Sequence, residues 1–168
     1  TTGAAFQAVS PSTVFGSTRL RVADEVVSER PGIRAYEGHR VIAGIRPENM
    51  EDASIMPVIP EDRRMKVDIV LREALGSEVL VHFSVDAPPV LTEDTRELVG
   101  EQSGPMAQAS VIVQELEKAV ETGTSTFVAR LDPRTRAAER QPLELAVDTG
   151  RLHFFDPQTG LGIYGDES

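Results

Sequence analysis

Met65-Lys66-Val67-Asp68-Ile69-Val70-Leu71-Arg72, Glu73-Ala74-Leu75-Gly76-Ser77-Glu78 and Val79-Leu80-Val81-His82-Phe83-Ser84-Val85 follow one another without a break and carry the plainest structural signal in the chain. In the first run Met65, Val67, Ile69 and Leu71 fall on one face, and Lys66, Asp68 and Arg72 on the other, the period-2 pattern of a half-buried strand. In the last run Val79, Val81, Phe83 and Val85 share a face opposite Leu80, His82 and Ser84. Gly76-Ser77 separates the two, and Gly76 permits the backbone reversal, so the stretch predicts a β-hairpin.

Outward from the hairpin the same alternation predicts strands over Thr18 to Val22, Arg40 to Ile45, Thr126 to Leu131, Leu143 to Val147 and Arg151 to Phe155. Glu37-Gly38, Asp132-Pro133, Thr149-Gly150 and Asp156-Pro157 punctuate them. These pairs supply the fixed φ of proline, the positive φ open to glycine, or a carboxylate acceptor for turn amides. Many short strands with regular turns predict a mostly-β domain, a small barrel or sandwich. One segment departs from this pattern. Met106, Ala109, Ile112, Val113, Leu116, Ala119 and Val120 recur at helical spacing, with Pro105 suited to the first turn and Gly123 to the end. An amphipathic helix is expected over 105–122, inside an insertion spanning 86–123, with its apolar stripe packed on the sheet.

The chain has 168 residues, enough for one domain burying roughly 70% of its unfolded surface. It carries 17 Lys and Arg against 27 Asp and Glu, a net charge of −10, which repels phosphate backbones and argues against a nucleic-acid partner. With no cysteine, thiol nucleophiles, iron–sulfur clusters and cysteine zinc sites are excluded. No apolar run approaches the ~18 residues of a membrane-spanning helix, and the start lacks a signal-peptide layout. The first residue is Thr1, which ordinary processing or a cut from a longer protein would equally give.

Motifs for chemistry are sparse. No Gly-Lys pair exists, so the P-loop pattern G-x-x-x-x-G-K-[ST] is absent and the chain by itself is expected not to hydrolyse ATP. Gly160-Leu161-Gly162-Ile163-Tyr164-Gly165 has the spacing of a dinucleotide-binding string, but only three residues follow, too few for the helix that would receive a pyrophosphate. A loose terminal turn is the expected structure there. His39, His82 and His153 are too scattered to form a local ligand pair, and no G-x-S-x-G elbow occurs. Glu51-Asp52 is the kind of carboxylate pair that chance supplies in an acidic chain. Arg130, Arg134, Arg136 and Arg140 are read as a solvated loop with crossing ion pairs. No catalytic, cofactor-binding or metal-ligating residue is therefore assigned.

Three phrases, in order, resemble the C-terminal regulatory domain of ATP-binding subunits in carbohydrate-importing ABC transporters of the maltose and trehalose type. Gly44-Ile45-Arg46-Pro47-Glu48-Asn49 is similar to that family's Gly-Ile-Arg-Pro-Glu-His. Glu73-Ala74-Leu75-Gly76-Ser77-Glu78 resembles its Glu-x-Leu-Gly-Ser-Glu, and Leu152-His153-Phe154-Phe155-Asp156-Pro157-Gln158-Thr159-Gly160 its closing Leu-His-Leu-Phe-Asp-x-x-Thr-Gly. The positions carrying the match are Gly44, Arg46, Pro47, Glu48, Glu73, Gly76, Ser77, Glu78, His153, Phe155 and Asp156. Each also has a structural reading. Pro47 stops a strand, Arg46 and Glu48 pair across the resulting turn, Phe155 anchors the last strand in the core, and Asp156 accepts turn amides.

The resemblance implies an oligomer-binding-type barrel, a TOBE domain, appended to an ATPase domain that this chain lacks. It also implies ATP and magnesium for that missing domain, none being expected in this chain. The partners it implies are a second copy of the same subunit as a homodimer, transmembrane permease subunits reached through the missing domain, and a regulatory protein or ligand. The implied location is the cytoplasmic face of a bacterial membrane. Two departures stand out: the 86–123 insertion, and Arg140-Gln141-Pro142 where the family commonly has a glycine before the penultimate strand. The competing expectation is a small-oxyanion or ligand-sensing barrel, with donors at Arg46 and the Gly76-Ser77 amides.

Overall fold

The hairpin forms where the alternation places it, with strands over Arg64–Ala74 and Val79–Val85 and Gly76 at the reversal with φ +84°. The computed structural model describes residues 2–9, 12–15, 18–90 and 121–165. In chain order the strands are β1 (Thr2–Val9), β2 (Ser12–Phe15), β3 (Thr18–Arg21), β4 (Arg40–Ile45), β5 (Met50–Asp52), β6 (Arg64–Ala74), β7 (Val79–Val85), β8 (Ser125–Leu131), β9 (Pro142–Val147) and β10 (His153–Phe155). A short helix, α1 (Asp24–Glu29), and single 3-10 turns fill the connections. One sheet has the order β10-β4-β1-β2-β3 and the other β5-β9-β6-β7-β8, every pairing antiparallel. The fold is mostly β and OB-like, as expected.

Both sheets contribute to one apolar cluster. Leu20, Val41, Ala43 and Phe154 come from the first, and Val67, Ile69, Phe83, Phe127 and Leu145 from the second. Phe83 and Phe127, directly opposite in the β7–β8 register, stack with ring centroids 5.9 Å apart, a geometry that adds to the area they bury.

Three expectations need correction. Leu71 does not continue the buried face of β6: Met65, Val67 and Ile69 are buried, whereas Leu71 is exposed. The β6–β7 register steps from Ile69↔Phe83 to Leu71↔His82, so Val70 is an extra residue, a β-bulge that shifts the alternation by one. In the last strand the buried aromatic is Phe154, opposite Ala43, and Phe155 is only half-buried. Pairing with β4 fixes that phase, so Leu152 and Phe154 take the inward positions. That strand also starts at His153, because Thr149–Arg151 is a 3-10 turn whose Gly150 amide donates to Asp148 Oδ1 at 3.1 Å. The expected helix over 105–122 falls outside the described residues, as does most of the 86–123 insertion. Its last two positions, Glu121 and Thr122, are helical, and Gly123 ends them with φ +66°.

The bulge explains a strained neighbour. Arg140 donates its amide to Ile69 O at 2.7 Å, Ile69 donates to Gln141 O at 3.1 Å, and β9 then begins at Pro142 opposite Asp68. Closing this turn puts Arg140 at φ +59°, in the left-handed region. The Cβ of Arg140 costs about 1 kcal/mol there. Arg140→Gly is expected to stabilise the chain by roughly that amount, read as a rise in the urea midpoint with an unchanged m-value.

Candidate functional site

Proline geometry and strand pairing together assemble the site. β4 ends at Ile45, Arg46 stays extended (φ −88°, ψ 145°), and Pro47 opens the 3-10 turn Pro47–Asn49 from its first position, where its lack of an N–H is harmless. The turn at Thr149–Arg151 lies against it, joined by the Asp148 amide donating to Asn49 O at 2.9 Å. β10 then runs antiparallel to β4 with His153 opposite Gly44. The first and third of the three sequence phrases therefore meet. Arg46, Glu48, Asn49, Gly150, Arg151 and His153, joined by Arg30 from the end of α1, line a surface cavity of about 390 Å³.

The cavity is cationic in a chain that is not. Arg30 donates from Nη1 to Leu152 O at 2.8 Å and lies 5.3 Å from the centroid of the Tyr164 ring, so its charge is held without a carboxylate. Arg151 is exposed and loosely paired with Asp148 at 3.7 Å. Arg46 is exposed and, among the described residues, its guanidinium has neither a hydrogen bond nor an ion pair. The expected Arg46–Glu48 pair does not form, because residues two apart on a tight turn do not face one another. Burial holds the His153 imidazole below its ordinary pKa, and the positive charges of Arg30 and Arg46 depress it further. It is therefore a neutral ring at neutral pH.

Asp156 locks β10 in place. Tyr36 donates its hydroxyl to Asp156 Oδ2 at 2.6 Å, while Oδ1 accepts from the Gln158 amide at 2.8 Å, the Thr159 amide at 2.7 Å and the Thr159 hydroxyl at 3.0 Å. The Tyr36 hydrogen bond, followed by the Thr159 amide, brings the carboxyl down to about 2. Beyond it, Gly160 has φ +69°, Gly162 bridges to Phe155, and Ile163 is buried while donating its amide to Phe154 O. The glycine string is thus an anchored return rather than the loose turn expected of it.

The middle phrase lies apart. Gly76 and Ser77 occupy the exposed hairpin tip, so the Gly76-Ser77 amides and Arg46 do not share a cavity as the oxyanion expectation required. Glu73 pairs with His82 at 2.8 Å and Glu78 with Arg130 at 3.6 Å, which accounts for both acidic positions as cross-strand partners. The remaining arginines behave as a solvated loop, with Arg134 bonded to Asp132 at 2.9 Å. Glu51 and Asp52 form a clamp. Glu51 accepts the Asp132 amide on both oxygens, and buried Asp52 accepts from the Ser54 amide and hydroxyl and from Thr135 Oγ1 at 2.6 Å. Burial alone would raise the Asp52 pKa, but the hydrogen bonds from Thr135 and Ser54 outweigh it and hold the group ionised.

Arg30 had no signal in the sequence, since no motif contains it and α1 shows no periodicity of its own, whereas Asn49 lies in the first phrase, Gly150 in an expected turn and Arg151 at the start of an expected strand. Among the described residues, no group of three His, Asp or Glu side chains is placed to hold a metal ion, and no helix is long and apolar enough to cross a membrane.

No protein-family model matches the chain. It is 30% identical over 125 residues to the trehalose import ATP-binding protein SugC of Mycobacterium tuberculosis, covering 73% of this chain and 28% of that protein. It is 26% identical over 151 residues to the trehalose/maltose import ATP-binding protein MalK of Thermococcus litoralis, covering 89% of this chain and 30% of that one. With the oligosaccharides import ATP-binding protein MsmX of Bacillus subtilis it shares 25% identity over 130 residues, 77% of this chain and 26% of that protein. The chain thus spans less than a third of the length of these relatives, all of them ATP-binding subunits of sugar importers, as the three phrases anticipate.

The Asp156 lock sets a pH dependence with a definite sign. A carboxyl lowered from its ordinary 3.8 to about 2 on folding stabilises the fold above that ordinary value, and the contribution is lost as pH falls towards 2. Asp156→Asn is expected to flatten this part of the acid-unfolding profile, measured as stability against pH.

Proposed function

We propose that this chain is the C-terminal regulatory and dimerisation domain of the ATP-binding subunit of a sugar-importing ABC transporter. The observation that carries this reading is the meeting, at one cavity, of two of the three phrases shared with such subunits, on a mostly-β, OB-like fold. In this role the chain does no chemistry. ATP and magnesium act in an ATPase domain encoded ahead of it, and the permease subunits are reached through that domain. The chain works at the cytoplasmic face of the membrane as part of a peripheral subunit.

Its contribution is mechanical. Two copies associate and keep the rear of two ATPase domains together while the nucleotide sites open and close. An effector bound to the domain shifts that equilibrium only to the extent that it binds one state better than the other. The paired sheets suit the role, because a single core shared by both sheets moves as a rigid unit.

Three measurements test this reading. The reading frame upstream is expected to encode a P-loop ATPase. The purified chain is expected to show no ATP turnover above buffer. Sedimentation of the whole subunit is expected to give a dimer that weakens at least about tenfold when these 168 residues are deleted. Equal self-association with and without them would contradict the dimerisation role.

A further inference from the structure

We infer that the cavity between β4, β10 and the end of α1 is a binding site for a small phosphate-bearing ligand, either free phosphate or the phosphate ester of a polyol. The first argument is charge. Three arginines and one glutamate line it in a chain of net charge −10, and among the described residues no carboxylate pairs with Arg30 or Arg46. Like charges gathered around one cavity repel, and the arrangement becomes favourable when an anion fills it. Guanidinium groups are the side chains best matched to the paired oxygens of a phosphate.

The second argument is pre-organisation. Arg30 is fixed by the Leu152 carbonyl and the Tyr164 ring, and the two 3-10 turns are tied by the Asp148–Asn49 bond, so one arginine and the backbone of the site are ordered before a ligand arrives. Among the described residues no acceptor uses the Arg46 guanidinium donors. The third argument is composition. At about 390 Å³ the cavity lies within the range of small-molecule sites. Glu48, which accepts from hydroxyls, and Asn49, which accepts and donates, stand beside the arginines. A carboxylate discourages a bare anion and suits one that also carries hydroxyl groups.

The groups facing His153 are Arg30, Arg46, Glu48 and Arg151, with Asp148 against Arg151. A bound dianion reverses the sign of the field there, so ligand binding is expected to raise the imidazole pKa that the arginines depress.

The test is titration of the isotope-labelled chain, at constant ionic strength and near-neutral pH, with inorganic phosphate, glucose 6-phosphate and glucose. Saturable shifts are expected at the amides of Arg46, Glu48, Asn49, Gly150 and His153 with both phosphates and not with glucose. Tighter binding of glucose 6-phosphate identifies an ester as the ligand class, and equal affinity identifies free phosphate. Arg46→Ala, which removes an exposed side chain with no partner among the described residues, is expected to weaken binding about tenfold or more. Arg46→Lys is expected to recover part of it. The amide spectrum away from the cavity reports that both variants are folded. Absence of saturable shifts with either phosphate, or equal affinity in Arg46→Ala, would overturn the inference. Both readouts hold for monomer or dimer, so their failure is distinct from failure of the dimerisation role.

Discussion

The antiparallel pairing of β4 with β10, His153 opposite Gly44 and Phe154 opposite Ala43, is the constraint from which the site follows. Bringing these distant segments together costs loop-closure entropy, which grows only as the logarithm of the intervening length. Burial of Leu152 and Phe154 beside Val41 and Ala43 opposes that cost, a large apolar side chain contributing about 1.5–3 kcal/mol when fully buried. The Asp156 hydrogen bonds then prevent the short strand from fraying. With β10 in register, the turn before it and the turn after β4 have no choice but to lie side by side, and the cavity is what remains between them.

The same pairing places cations where the rest of the chain places carboxylates. Several charges elsewhere are answered locally, Glu73 by His82, Glu78 by Arg130, Asp132 by Arg134 and Glu144 by Arg64. Such exposed or half-exposed pairs contribute little to stability individually, but they neutralise the charges they join. Around His153 burial lowers the imidazole pKa, and Arg30 and Arg46 lower it further. A domain that transmits a mechanical state needs a rigid body and a place where a ligand acts on it. The shared core supplies one, and the turns after β4 and before β10 frame the other.

Much of the fold was legible because it obeys period-2 patterning. β4, β6, β7, β8 and β9 lie where Val, Ile, Leu and Phe alternate with polar residues. β1 and β2 were not legible: Thr2–Val9 is rich in Gly and Ala, which have little preference for strand, and its place in the sheet is set by pairing with β4. The bulge at Val70 was equally hidden, because an extra residue disturbs the alternation only after the partner strand is known. At the site, Arg46, Glu48 and His153 were marked by their phrases. Their convergence was not, since register between β4 and β10 is a property of the folded chain. Arg30 and Arg151 belong to no phrase and enter through α1 and a turn.

Native-state hydrogen exchange of the amides in β4 and β10 addresses the β4–β10 pairing directly. If it is an integral part of the cooperative fold, the hydrogen-bonded amides of both strands exchange only through global unfolding, with the same free energy as those of β7 in the middle of the second sheet. Exchange of the β10 amides at a much lower free energy, as in a terminal segment that opens by itself, would contradict the account.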